Sequence, residues 1–136
     1  MTPAVAELAA PPGSSRLMRT RQAIAGALEA GGIRVAYGGK LAAPCVLVEA
    51  GDPWAAVESL HGRRVARWKL TAVAGRADSE GALDALAELV DTADAALLGL
   101  PGVQLPTWAK PFDAQLGAVP YAATVATIQL MTEVQT

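Results

Sequence analysis

The stretch Val65–Leu98, VARWKLTAVAGRADSEGALDALAELVDTADAALL, switches halfway along from a period of two to a period near four, and that switch decides the fold. In Val65 to Gly75, Trp68, Leu70, Ala72 and Ala74 fall on one side while Arg67, Lys69 and Thr71 fall on the other, with Val73 the exception. The alternation predicts a strand with one face on the core, spanning roughly 35 Å at about 3.3 Å per residue. From Glu80 to Leu98 the apolar residues Leu83, Leu86, Val90, Ala93 and Leu97 recur at helical spacing instead. Ser79 is the expected N-cap of this helix, and Gly99 and Pro101 are its expected stop. At about 1.5 Å per residue the helix nearly matches the strand in length, so it can lie across a sheet and cover it.

Charge sorts along the same stretch and the turn before it. Arg63, Arg64, Arg67, Lys69 and Arg76 stand on the strand-like run; Asp78, Glu80, Asp84, Glu88, Asp91 and Asp94 stand on the helix-like run. The net charge of the whole chain is only -2, so the segregation creates opposed surfaces and not an overall acidic or basic protein. Asp84, Glu88 and Asp91 share the helix face away from the apolar stripe, and no Lys or Arg follows at i+4 to pair with them. Such a stripe is either a solvated face or a docking face, and Arg63, Arg64 and Arg67 are the candidate complement on another copy or on a partner. Rim pairs of this kind contribute about 0 to 1 kcal/mol each, so they set register more than affinity.

Outward from this centre, Ser15 is the expected cap of a first helix in which Leu17, Ile24 and Leu28 share one side, and Gly31-Gly32 ends it. Its first turns carry Arg16, Arg19 and Arg21, the unfavourable sign for the positive end of a helix dipole, so an external anion or acidic partner would relieve the conflict. Ile33 to Tyr37 reads as a short strand, Gly38-Gly39-Lys40 as a turn, and Pro44 to Glu49 as a buried strand that Gly51-Asp52-Pro53 breaks. After the second helix, LPGVQLPTWAKPFDAQLG is punctuated by prolines and reads as a connector or an edge. Ala118 to Val134 closes the chain as a long strand, with Thr124, Ala126, Ile128 and Leu130 on one side and Val125, Thr127, Gln129 and Met131 on the other. The expected fold is α+β: a mixed, largely antiparallel sheet packed against two helices in a single domain over residues 15–136. Residues 1–14, rich in Ala and Pro, are the expected flexible arm.

Catalytic readings find little material. His61 and Cys45 are the sole residues of their types, and they sit in a Gly-Arg-Arg turn and a buried-looking strand. A Cys/His dyad needs the two in hydrogen-bond reach with an orienting third group. No ligand-spaced cluster indicates zinc, and the glycines of GGIRVAYGG match neither a dinucleotide nor a phosphate-loop spacing. The expectation is therefore no enzyme, no cofactor, no metal and no catalytic residues. The lone cysteine fits a reducing compartment, the first 15 residues lack a basic n-region, and no apolar run approaches the ~20 residues of a membrane span. Trp68 between Arg67 and Lys69 reads as core, the alternative being a nucleic-acid stacking platform within HGRRVARWK.

The order of elements carries a resemblance. RLMRTRQAIAGALEAGGIRV, PCVLVEA, RWKLTAVAG, SEGALDALAELVDTADAAL and PYAATVATIQLMTEV, spread over Arg16 to Val134, resemble in order, size and spacing the tail-terminator proteins of long-tailed bacteriophages. The resemblance implies an α+β structural protein of the virion, forming a six-membered homo-oligomeric ring on the tail tube. It implies that the ring ends tube polymerisation and offers the head-completion or connector protein a joining surface. The implied partners are sibling subunits, the tail tube protein and the head-completion protein, with DNA passing through without sequence-specific binding and no membrane. The implied location is the tail-neck junction, after assembly in the host cytoplasm. The alternatives are a head-completion or connector ring of the same neck, and a small nucleic-acid-binding domain.

Overall fold

The computed structural model describes residues 15–36, 42–57, 64–101 and 103–132. The expected arm at 1–14, the turn at Gly38 to Lys40, His61, Arg63 and the last residues of the closing strand lie outside the described residues. Elements follow in the order α1 (Arg16–Ala30), β1 (Val35–Ala36), β2 (Cys45–Val57), β3 (Arg64–Arg76), α2 (Ala82–Leu97), β4 (Phe112–Leu116) and β5 (Val119–Thr132). The five strands form one sheet in the order β1-β2-β3-β5-β4. β1 joins β2 in parallel and every other pairing is antiparallel, so the fold is α+β with a mixed sheet.

Both helices cover the same face of the sheet. Ile24 and Leu28 of α1 and Leu86, Ala93 and Leu97 of α2 form one apolar cluster with Val46, Val48, Trp68, Leu70, Ala72 and Ile128. β3 and β5 pair from Arg64↔Thr132 to Val73↔Ala123, so their expected inward residues align across the ladder, with Trp68 opposite Ile128 and Leu70 opposite Ala126. Val73, the exception in the strand pattern, is buried on the other face with Ala36, Cys45 and Ala123, a second and smaller apolar cluster. Trp68 is core: it is 3% exposed, its indole N–H donates to the Thr20 hydroxyl, and Trp54 meets it edge-on at a centroid distance of 5.6 Å.

Three local expectations require correction. Gly51-Asp52-Pro53 does not break the chain, because β2 continues to Val57 across a register shift between Ala50 and Ala55. The extra residues are absorbed as a bulge, and the close approach there needs a glycine: a Cβ on Gly51 would sit 2.9 Å from the backbone oxygen of Arg67. Ser79 is not the cap of α2. Its hydroxyl donates to the carbonyl of Arg76, closing the turn after β3, and the cap position belongs to Gly81 with φ 84°. That left-handed conformation suits glycine, and the helix starts two residues later than its periodicity indicates. Leu83 leaves the apolar stripe; it is 63% exposed, while Ala82 takes the buried position beside Leu86.

The proline-rich connector acts as an edge. Ala109 N–H donates to the carbonyl of Val125, the Thr124 hydroxyl donates to the carbonyl of Ala109, and Gln104 bridges Gln129. Residues 104–109 thus run beside β5 where β4 is absent, and β4 takes over from Phe112 after Pro111. Trp108 anchors the connector to the helix layer, its indole donating to Asp94 at 3.0 Å.

Candidate functional site

α1 begins where the sequence indicates: the Ser15 side chain accepts the Met18 N–H at 3.1 Å, and no acidic residue stands in the first turn. Arg16 and Arg19 are exposed and project from this end of α1. With Thr20, Ala23, Pro101, Leu130, Met131 and Thr132 they line a groove of about 340 Å³ between α1 and the end of β5. Arg64 is the cross-strand neighbour of Thr132, whose hydroxyl donates to the Arg64 carbonyl. Cross-strand neighbours point to one face of a sheet, so Arg64 emerges beside the groove on its helix side. Arg21 is directed elsewhere, its guanidinium donating to the carbonyl of Val48.

The sheet separates the cations that the sequence groups together. Arg67 is three residues from Arg64 on a strand of period two, so the two lie on opposite faces. Arg67 and Lys69 occupy the face turned away from the helices, where Arg67 donates to the Gln129 side chain at 2.7 Å. Lys69 lines a shallow cavity of about 530 Å³ with Gln104, Thr107, Thr127 and Gln129. A single acidic helix of a neighbour therefore cannot meet Arg64 and Arg67 together.

The acidic residues remain grouped. Asp84, Glu88 and Asp91 are exposed along the outer side of α2, at i, i+4 and i+7. Among the described residues none of the three forms an ion pair, whereas Asp78 is paired with Arg76 at 3.0 Å. Asp84 stands in the first turn of α2, where the dipole favours it; Glu88 and Asp91 have no such support. Asp94 is spared the adverse helix end by the Trp108 indole.

Helix direction sets these groups at opposite ends. Glu88 lines a groove of about 590 Å³ with Ile33, Arg34, Leu89, Arg76 and Tyr121, at the end of the molecule where β3 finishes and α1 has already ended. Arg16, Arg19 and Arg64 lie where β3 starts and β5 finishes. The sequence pointed to Arg16 and Arg19 only as a conflict with the helix dipole. Their grouping with Arg64 is a product of the tertiary structure.

Cys45 is fully buried, and desolvation raises its thiol pKa above the ordinary value against smaller lowering contributions from the Ala42 backbone and Arg34. Among the described residues no group of three His, Cys, Asp or Glu side chains could hold a metal ion, and no helix is long and apolar enough to cross a membrane. What the arrangement offers chemically is charge of opposite sign on separated surfaces, suited to contact with another macromolecule. No protein-family model matches the chain, and no curated protein matches it either.

Proposed function

We propose that this protein is a structural part of a long-tailed phage virion, a ring that caps the tail tube, ends its polymerisation and carries the surface on which the head-completion protein joins. The order and size of the elements resemble tail-terminator proteins. The observation that carries the reading is the separation of unneutralised charge: Asp84, Glu88 and Asp91 face outward from α2, while Arg16, Arg19 and Arg64 lie at the other end and Lys69 lies on the far side of the sheet. Within one chain these groups cannot neutralise one another. Between chains related by rotation they meet, because a heterologous contact joins two different patches of the same molecule and closes into a ring when the rotation permits.

Electron microscopy of the purified protein mixed with tail tubes tests the reading. A cap on one tube end, together with arrested tube growth, is the expected result. A protein that stays monomeric and leaves tube ends bare would overturn it, and a ring that binds the portal side but not tubes would reassign it to the neck connector.

A further inference from the structure

We propose that the groove between α1 and the end of β5, with Arg16 and Arg19 in its wall and Arg64 beside it, receives the Asp84, Glu88 and Asp91 face of α2 from a second copy of this chain. The inference rests on the ring reading and deepens it by naming the two surfaces that meet. Arg16 and Arg19 line the groove from α1, Arg64 stands beside it on β3 as the cross-strand neighbour of the groove residue Thr132, and among the described residues no carboxylate pairs with any of the three. The lining between them is mixed, with Ala23, Leu130 and Pro101 supplying apolar contact beside the charged groups.

Charge complementarity selects the occupant. α2 presents three carboxylates on one stripe of about ten ångströms, the rise of seven residues, and the helix itself carries no Lys or Arg. Arginine forks suit carboxylates, and a helix laid along the groove offers its acids in register with cations spaced one turn apart, as Arg16 and Arg19 are. The groove and the stripe occupy different parts of one chain, so the contact is head-to-tail and leaves each copy with one donor and one acceptor surface. The apolar lining also dries the rim, which strengthens each pair relative to a fully solvated one.

Charge swapping in the full chain tests the proposal, with association measured by native mass spectrometry and sedimentation at low salt. Arg16→Glu with Arg19→Glu should weaken self-association about tenfold or more, since attraction is replaced by repulsion at two rim positions. Asp84→Lys with Glu88→Lys should do the same. Mixing the two variants should restore a heterotypic contact, in which the reversed groove of one chain meets the reversed stripe of the other. Wild-type association that is unchanged in both variants would overturn this pairing while leaving the ring reading intact, whereas a wild-type chain that never associates would overturn both. Loss of duplex DNA binding in the Arg16→Glu, Arg19→Glu variant, with assembly unaffected, would assign the groove to phosphates and reject the proposal. Circular dichroism of each variant separates misfolding from lost contact, because all four positions are solvent-exposed.

Discussion

Trp68 and Thr20 share a buried hydrogen bond of 2.8 Å that ties the bulkiest side chain of the central strand to the first helix. The Thr20 hydroxyl in turn donates to the carbonyl of Leu17, so it donates and accepts at once. The pair fixes α1 over β3 by a directional contact within an otherwise apolar layer. Replacing Thr20 by Val keeps the shape and orphans the indole N–H, at a cost of about 1 to 3 kcal/mol. Urea denaturation of Thr20→Val, Trp68→Phe and the double variant should show coupling; additive effects would mean that the bond contributes nothing.

Leu86 and Leu83 are predicted to behave in opposite ways. Leu86 is 2% exposed in the helix-sheet core, so Leu86→Ala should destabilise by about 2 to 5 kcal/mol. Leu83 projects into solvent, and Leu83→Ser should change stability by less than about 0.5 kcal/mol. Equal losses in the two thermal melts would contradict the rotation assigned to α2.

Gly51 has no room for a side chain. Gly51→Ala drives a methyl group against the backbone of Arg67 and should cost about 1 to 3 kcal/mol by forcing the bulge to shift. Amide exchange should show the loss concentrated in β2 and the adjoining half of β3. A fully stable variant with unchanged exchange would place β2 farther from β3 than described.

Cys45 should resist thiol reagents in the folded protein and react freely in denaturant, because its sulfur is inside the sheet and burial favours the neutral thiol. The sign of the pH dependence follows. A thiol whose folded pKa is raised contributes stability that is fully present below the ordinary thiol value and is lost as pH climbs through the folded value, since the unfolded chain ionises first. Cys45→Ala should flatten the alkaline fall in unfolding free energy. An identical pH profile in both proteins would show that the thiol is not responsible.

Trp108 and Asp94 hold the connector against α2. Trp108→Phe leaves the Asp94 carboxylate without its indole donor, and hydrogen bonds to a charged group contribute about 1.5 to 3 kcal/mol. Limited proteolysis should then cut within residues 103–111 faster than in the wild type. Unaltered cleavage would indicate that the hydrogen bonds of Ala109 and Thr124 hold the connector by themselves.

Local patterns accounted for α1, β3, β5 and the body of α2, because each is long enough for its period to show which face meets the core. The cap at Ser15, the inward Trp68 and the outward stripe of Asp84, Glu88 and Asp91 follow from spacing alone. β4 was less legible: FDAQL is short, stands between Pro111 and Gly117, and is held as a strand by β5 alongside it. Gly51-Asp52-Pro53 looked like a break for a related reason, since a bulge and a chain break share the same residues and differ in whether a neighbouring strand continues beside them. Periodicity alone starts α2 at Glu80, whereas the helix starts at Ala82 because the Ser79 hydroxyl bonds the Arg76 carbonyl and caps no helix.

By itself the sequence determined the segregation of charge, the two-layer α+β composition and the side of each long element that faces inward, all of which depend on residues within a few positions of one another. Only the tertiary structure decided which cations share a surface. A strand's period of two sent Arg64 and Arg67 to opposite faces, and antiparallel pairing with β5 brought Arg64 to Thr132, beside the arginines of α1. Side chains distant in sequence become neighbours through strand register, and no local pattern encodes register across a whole sheet.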